Sequence, residues 1–404
     1  MTTSTTPSPS DQTHTARLGF VLAVFALLMA PIGLLADKAV VPLALAAALA
    51  GGLTAGFPAL PWRVIDRRLA LALGLFIAWC LASTLWREPS LEGARLALRV
   101  GLLFVLLLYL VGLTRFLDDG QRRRVALSFC LGFGLTFAVL LIELTFRTPL
   151  FDLLQGEAKS DYAAYSRLNR GVSTLSILVW PLAVFAWQEG RRGLALVLPP
   201  AMLAVTLCSQ SSASALAVGA GVLAAALAGL GRGATRLVLV VAVAGALLAS
   251  PVIIAGLQQA GLGESQWLQD TGKFRLHVWN VINERIAERP LFGWGFDASP
   301  DLPTGDALPF RADGKVIPSH PHNGALQIMV ELGLAGSLLA AGFLFLVGQR
   351  IDRLPPAARS AAVAMVVTIL GIACSAYSIW QSHWLSVIGA SAVVFAAVLR
   401  RSRP

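Results

Sequence analysis

The chain has 404 residues, 56% of them hydrophobic and 13% charged, with a mean hydropathy of +0.71. A soluble domain carries about a quarter charged residues, so this composition excludes a soluble enzyme, a disordered chain or a nucleic-acid module as the main reading. The formal net charge of +10 reads as topology, because basic residues accumulate on cytoplasmic loops of membrane proteins.

Residues 1–16 are rich in Thr, Ser and Pro and predict a disordered cytoplasmic tail. The apolar run 18–36 is too long for a signal-peptide core, so it predicts a first helix retained in the membrane. Eight further runs, at 39–58, 69–86, 96–114, 125–146, 171–188, 193–209, 213–230 and 236–256, complete a first block of helices over 17–256. Runs at 323–348, 360–380 and 383–399 make a second block, which ends in a cytoplasmic tail within 323–404. About 20 apolar residues cross the ~30 Å core of a bilayer as a helix, and a helix satisfies its own backbone there. The expected fold is an all-α polytopic integral membrane protein with about 12 transmembrane helices.

Between the ninth and tenth runs lies a loop domain, 257–322, far longer than a connection between neighbouring helices requires. Within it 274–288 reads as helical, Arg289-Pro290 ends that stretch, and Pro290–Phe296 is a turn-rich apolar segment suited to an interface. With both termini cytoplasmic, every inside segment carries arginine, whereas the outer connections near 210 and 382 carry none. Long loops cross regardless of charge, so this orientation puts 147–170 and 257–322 outside. The four cysteines, Cys80, Cys130, Cys208 and Cys374, sit inside apolar runs without metal-ligand spacing, which argues against a disulfide framework or a zinc site.

The polar residues on the outer side carry the functional information. His320-Pro321-His322-Asn323 ends the large loop and opens the tenth helix. The positive end of a helix dipole favours a neutral imidazole, and a neutral imidazole can accept a proton near pH 7. The same residues also suit a plain helix start, with Asn323 as its N-cap. Arg167 and Arg170 precede the sixth helix, Lys273 and Arg275 open the loop helix, and Arg95 and Arg99 share one face at the outer end of the fourth. Guanidinium groups grip phosphate oxygens in a planar, bidentate way, although single arginines at such positions also hold lipid headgroups or snorkel. Glu331, nine residues beyond His322, reads as a buried structural partner or part of a polar path. The chain has no nucleotide-binding glycine loop with Lys-Ser/Thr, no Gly-x-Ser-x-Gly elbow and no Asp-x-Asp pair on an outer loop. It also lacks the ladder of acidic residues that would suggest an ion-driven transporter.

His322-Asn323, then nine intervening residues, Gly333, two more residues and Gly336, is similar to the signature that ends the large loop of the O-antigen ligases. Arg275-Leu-His-Val-Trp279 followed by Pro290-Leu-Phe-Gly-Trp-Gly, and Arg170-Gly171, also resemble the O-antigen ligase and polymerase superfamily of bacterial envelope proteins. One departure stands out: many relatives carry an arginine between the seventh and eighth helices, where this chain reads Ser209-Gln-Ser-Ser-Ala-Ser214. The resemblance implies a GT-C-like membrane glycosyltransferase of the Gram-negative inner membrane, with its active site on the periplasmic side. It further implies inverting transfer of O-antigen glycan from undecaprenyl diphosphate to a sugar hydroxyl of lipid A–core, with no cofactor and no metal. His322 would then be the general base, and Arg170 and Arg275 would hold the diphosphate. Arg167 and His320 would be secondary, and Asn323, Arg95 and Arg99 would complete the substrate-binding set. The expected partners are the undecaprenyl diphosphate-linked O-antigen, the lipid A–core acceptor and membrane lipids, with no nucleic acid. Polymerisation, transfer to protein hydroxyls, and a flippase or transporter of the lipid-linked glycan are the alternatives.

Overall fold

A computed structural model describes residues 9–400, apart from 57–59, 88–90, 159, 210, 267, 269, 306–315 and 318. Among the described residues the secondary structure is helical throughout. The first block comprises α1 (Pro9–Leu35), α2 (Val40–Ala55), the short α3 (Pro61–Val64), α4 (Arg67–Ser83), α5 (Leu91–Leu113) and α6 (Asp119–Thr145). Two short helices, α7 (Pro149–Gln155) and α8 (Asp161–Ser166), lead into α9 (Asn169–Gln188), α10 (Arg192–Cys208), α11 (Ser212–Gly229), α12 (Arg232–Leu247) and α13 (Ser250–Gln259). The large loop contains α14 (Asp270–Glu288), and the chain finishes with α15 (Gly324–Ile351), α16 (Pro356–Ala373) and α17 (Ser382–Val398).

Each apolar run falls on a helix. Among the described residues eight helices are long and apolar enough to cross a bilayer: α1, α2, α5, α6, α9, α11, α15 and α16. The expected ninth span is two helices, α12 and α13, bent by 69°. Helices α10 and α17 are apolar but shorter, and α4 has 17 residues. Helix α1 covers Pro9–Leu35, and residues 1–8 of the expected tail lie outside the described residues. The run 360–380 is also shorter than expected: α16 stops at Ala373, and 374–381 is a chain of turns leading to α17.

Helix α9 lies at the centre, buried on nearly every side from Gly171 to Ala186. Its Val172, Leu175, Leu178 and Trp180 join Phe25 and Met29 of α1, Phe129 of α6 and Trp384 of α17 in the main core. Trp180 Nε1 donates to Thr368 Oγ1 of α16 at 2.9 Å, satisfying the polar edge of a buried indole. Where α15 ends, Arg350 pairs with Asp66, and Arg236 pairs with Asp352 at 2.6 Å.

Helix α15 is broken at Gly333, whose φ of 67° only glycine adopts without strain. A break orphans the carbonyls before it and the N–H groups after it, and an apolar setting makes each orphan expensive. The segment Pro290–Gly295 supplies the missing partners. Trp294 and Gly295 N–H donate to the carbonyls of Val330 and Glu331, both at 2.8 Å, and Trp79 Nε1 of α4 donates to that of Leu332 at 3.0 Å. In return, Leu334 and Ala335 N–H donate to the carbonyls of Pro290 (2.8 Å) and Leu291 (3.1 Å). The backbones approach so closely that a Cβ on Gly333 would sit 2.3 Å from Leu291 O, and one on Gly293 2.5 Å from Glu331 O. The turn-rich apolar segment and the signature glycine are thus two halves of one interlock.

Candidate active site

The half of α15 that precedes the break carries the histidines at its start. Asn323 caps it, with Oδ1 accepting from the N–H groups of Ala325 and Leu326, both at 3.1 Å. Its carbonyl is therefore committed to the helix end. His322 has φ +55°, a left-handed conformation that costs a residue with a Cβ about 1 kcal/mol or more. The strain is held from two sides. Trp279 Nε1 of α14 donates to the carbonyl of Pro321 at 2.8 Å, and Nδ1 of His322 donates to the carbonyl of Ala376 at 2.9 Å. A carbonyl can only accept, so the proton lies on Nδ1 and the neutral ring carries its acceptor lone pair on Nε2.

His320 is buried against it, with ring centroids 4.3 Å apart, and its Nδ1 shares a 2.8 Å hydrogen bond with Ser319 Oγ. Burial and, secondarily, the neighbouring His322 push the His320 pKa down to about 4, so it is neutral at pH 7. Helix-dipole reasoning anticipates a neutral imidazole here, but burial is the larger cause. Phe274 lies edge-on to His322 at 6.4 Å, so α14 covers one side of the site.

The turn segment 374–381 joins the histidines to the arginines. Tyr377 Oη lies 3.1 Å from Ser173 Oγ and donates to the carbonyl of Asn169 at 3.3 Å, both in the first turns of α9. Arg275 lies on α14, whose Phe274 and Trp279 flank His322 and Pro321, while Arg170 opens α9, the helix Tyr377 reaches. Arg170 pairs with Asp37 at 3.1 Å, and His383 approaches the same carboxylate at 3.7 Å. Arg167 is directed elsewhere: it pairs with Asp152 at 3.0 Å and donates to the carbonyl of Gly156 at 2.9 Å, closing the loop between α7 and α8. Arg95 and Arg99 are exposed on α5, and among the described residues no hydrogen bond or ion pair ties them to His322, Arg170 or Arg275. Likewise, among the described residues no three His, Cys, Asp or Glu side chains converge as metal ligands would.

Glu331 is fully buried and accepts from four donors: Asp297 N–H (2.8 Å), Ser299 Oγ (2.5 Å), Gln327 Nε2 (3.0 Å) and Trp380 Nε1 (2.6 Å). It clamps the loop and the turn segment onto α15, as a buried structural partner should. At the serine-rich junction before α11, Ser211 Oγ donates to Ser214 Oγ at 3.0 Å, which lies 3.1 Å from Ser173 Oγ.

Residues 194–341 match the family model described as O-Antigen ligase. That matched segment holds Arg275, His320, His322, Asn323 and both interlocking glycines, Gly293 and Gly333; Arg95, Arg99, Arg167, Arg170 and Tyr377 lie outside it. Over 318 residues the chain is 28% identical to a protein of Rickettsia felis named "Putative polysaccharide ligase", covering 77% of this chain and 76% of the relative. Similarly named proteins of Rickettsia conorii and Rickettsia prowazekii are also 28% identical, covering 77% of this chain and 75% and 76% of theirs.

Asp37, Ala376 and Tyr377 are members of the site that sequence reasoning missed. Ala376 acts through its backbone, which leaves no trace in sequence. The signal for the segment was the polar cluster Ser375, Tyr377, Ser378, Gln381 and Ser382, hidden at the seam of two apolar runs.

Proposed function

We propose that the protein is an inverting glycosyltransferase that moves a glycan from a lipid diphosphate donor, undecaprenyl diphosphate-linked O-antigen, to a sugar hydroxyl of lipid A–core. The chain lies in the inner membrane with about 12 helical segments crossing or entering it, both termini in the cytoplasm and the large loop in the periplasm. One observation carries the reading: the carbonyl of Ala376 fixes the proton of His322 on Nδ1, which makes Nε2 the basic nitrogen at the outer end of α15.

In this reaction the acceptor oxygen attacks the anomeric carbon and its proton passes to Nε2 of His322. The bond from that carbon to the diphosphate oxygen breaks, and the electron pair leaves with the diphosphate. Arg170 and Arg275 hold that diphosphate and stabilise its developing charge, so the transfer needs neither metal nor cofactor. The Arg170–Asp37 pair does not oppose this role. With 46% of the Arg170 side chain exposed, such a pair contributes about 0–1 kcal/mol, which is too little to commit Arg170 to Asp37. His320 packs against the base, Asn323 sets the helix end beneath it, and Arg167 orders the neighbouring loop. Arg95 and Arg99 line the approach for anionic lipid.

The test is transfer by purified protein in detergent, with the glycan diphosphate donor and, in parallel, lipid A–core, a second lipid-linked glycan or an acceptor protein. Glycosylation of lipid A–core that persists in EDTA is expected. Transfer only to another acceptor would replace the ligase reading, and activity recovered only by added magnesium would overturn the metal-free mechanism.

A further inference from the structure

Tyr377 belongs to no recognised motif, yet it sits where the two chemical ends of the site meet. The residue before it gives its carbonyl to Nδ1 of His322. Its own hydroxyl reaches the first turns of α9, to Asn169 O at 3.3 Å and Ser173 Oγ at 3.1 Å, next to Arg170 in sequence. Beyond it, Ile379 N–H donates to Gln327 Oε1 at 3.1 Å and Trp380 Nε1 to Glu331 at 2.6 Å, so the far side of the turn is tied to α15. The Tyr377 ring packs on Trp384 with centroids 5.0 Å apart. A carbonyl in a turn, outside any regular helix, takes its direction from such side anchors. On the α9 side the hydroxyl of Tyr377 supplies that anchor.

We propose that Tyr377 is a positioning residue: by anchoring its hydroxyl on Ser173 and Asn169 it aims the Ala376 carbonyl at Nδ1 of His322, fixing the imidazole tautomer and coupling the base to the arginine end of the site. Ser173 continues through Ser214 to Ser211, so the anchor is itself fixed by buried hydroxyls at the start of α11. Loss of the hydroxyl leaves the ring and its packing in place but lets the turn relax, and the proton of His322 then distributes between the two nitrogens. The catalytic consequence rests on the function proposed above; the structural coupling does not.

The experiment is therefore double. Nitrogen NMR of 15N-histidine-labelled protein, with the His322 signals assigned by their loss in His322→Gln, reads the tautomer without any substrate. Wild type should show the Nδ1–H form, and Tyr377→Phe a mixture of the two. Ser173→Ala, which spares the bond to Asn169, should show a smaller change in the same direction, and it substitutes as the test if the Phe variant fails to fold. In the transfer assay Tyr377→Phe should lower kcat on the order of tenfold with donor KM little changed. A purely structural role would lower thermal stability and leave the tautomer as in wild type, and that result overturns the proposal. A shifted tautomer in a protein that transfers no glycan would leave the coupling intact and reject the ligase mechanism.

Discussion

His322 and Glu331 stand nine residues apart at the two ends of the same half-helix, and both are polar groups in an apolar chain. Glu331 is enclosed completely, and four donors from α15, the large loop and the turn segment occupy its oxygens. His322 is half-buried and held in a left-handed conformation, and its Nδ1 donates to the carbonyl of Ala376. A polar group whose bonding capacity the protein fills serves the scaffold, since no substrate can reach it. One that is strained and only half-buried stands where a functional group can act. Under the function we propose, the difference divides α15 into a chemical end and a structural end, and substitutions should separate them.

The largest effect is expected at the chemical end. His322→Ala should lower the rate of glycan transfer by about 10²–10⁴-fold while leaving thermal stability close to wild type; near-normal transfer would remove the base assignment. At the structural end, Gly333→Ala places a methyl 2.3 Å from Leu291 O at a φ of 67°. It should cost about 3 kcal/mol or more of stability, seen as a large drop in melting temperature. An unchanged melting temperature would show that the interlock with Pro290–Gly295 does not hold the loop.

The smallest effect belongs to His320, which stands between the two roles. Its folded pKa lies near 4, below the ordinary value of 6.5. Between those values the unfolded chain binds more protons, so stability is full above about pH 6.5, falls as the pH drops, and levels off near pH 4. The loss should reach up to about 3 kcal/mol. Unfolding curves of His320→Gln should lack that part of the pH dependence; an identical pH profile in the variant would place the titration elsewhere.

Much of this division is legible before any tertiary structure. The apolar runs mark the helices, His322 stands out as one of only five histidines in the chain, and Gly293 and Gly333 stand out through the motif resemblance that contains them. The capping role of Asn323 follows from local chemistry. By contrast, the partnership of Gly293 with Gly333 is a contact between segments 40 residues apart, and nothing local announces it. Arg167 and Arg170, three residues apart and chemically identical, take different partners in Asp152 and Asp37, a choice that spacing does not encode.

Sequence alone determined the solvent this chain is built for and the residue types offered on its outer side, because hydropathy and charge are properties of composition and order. Only the tertiary structure decided which of those residues meet. It brought the Ala376 carbonyl to His322, Tyr377 to the first turns of α9, and four donors to Glu331. Those choices rest on backbone groups and long-range packing, where the energy comes from satisfying buried hydrogen bonds rather than from any local preference of the chain.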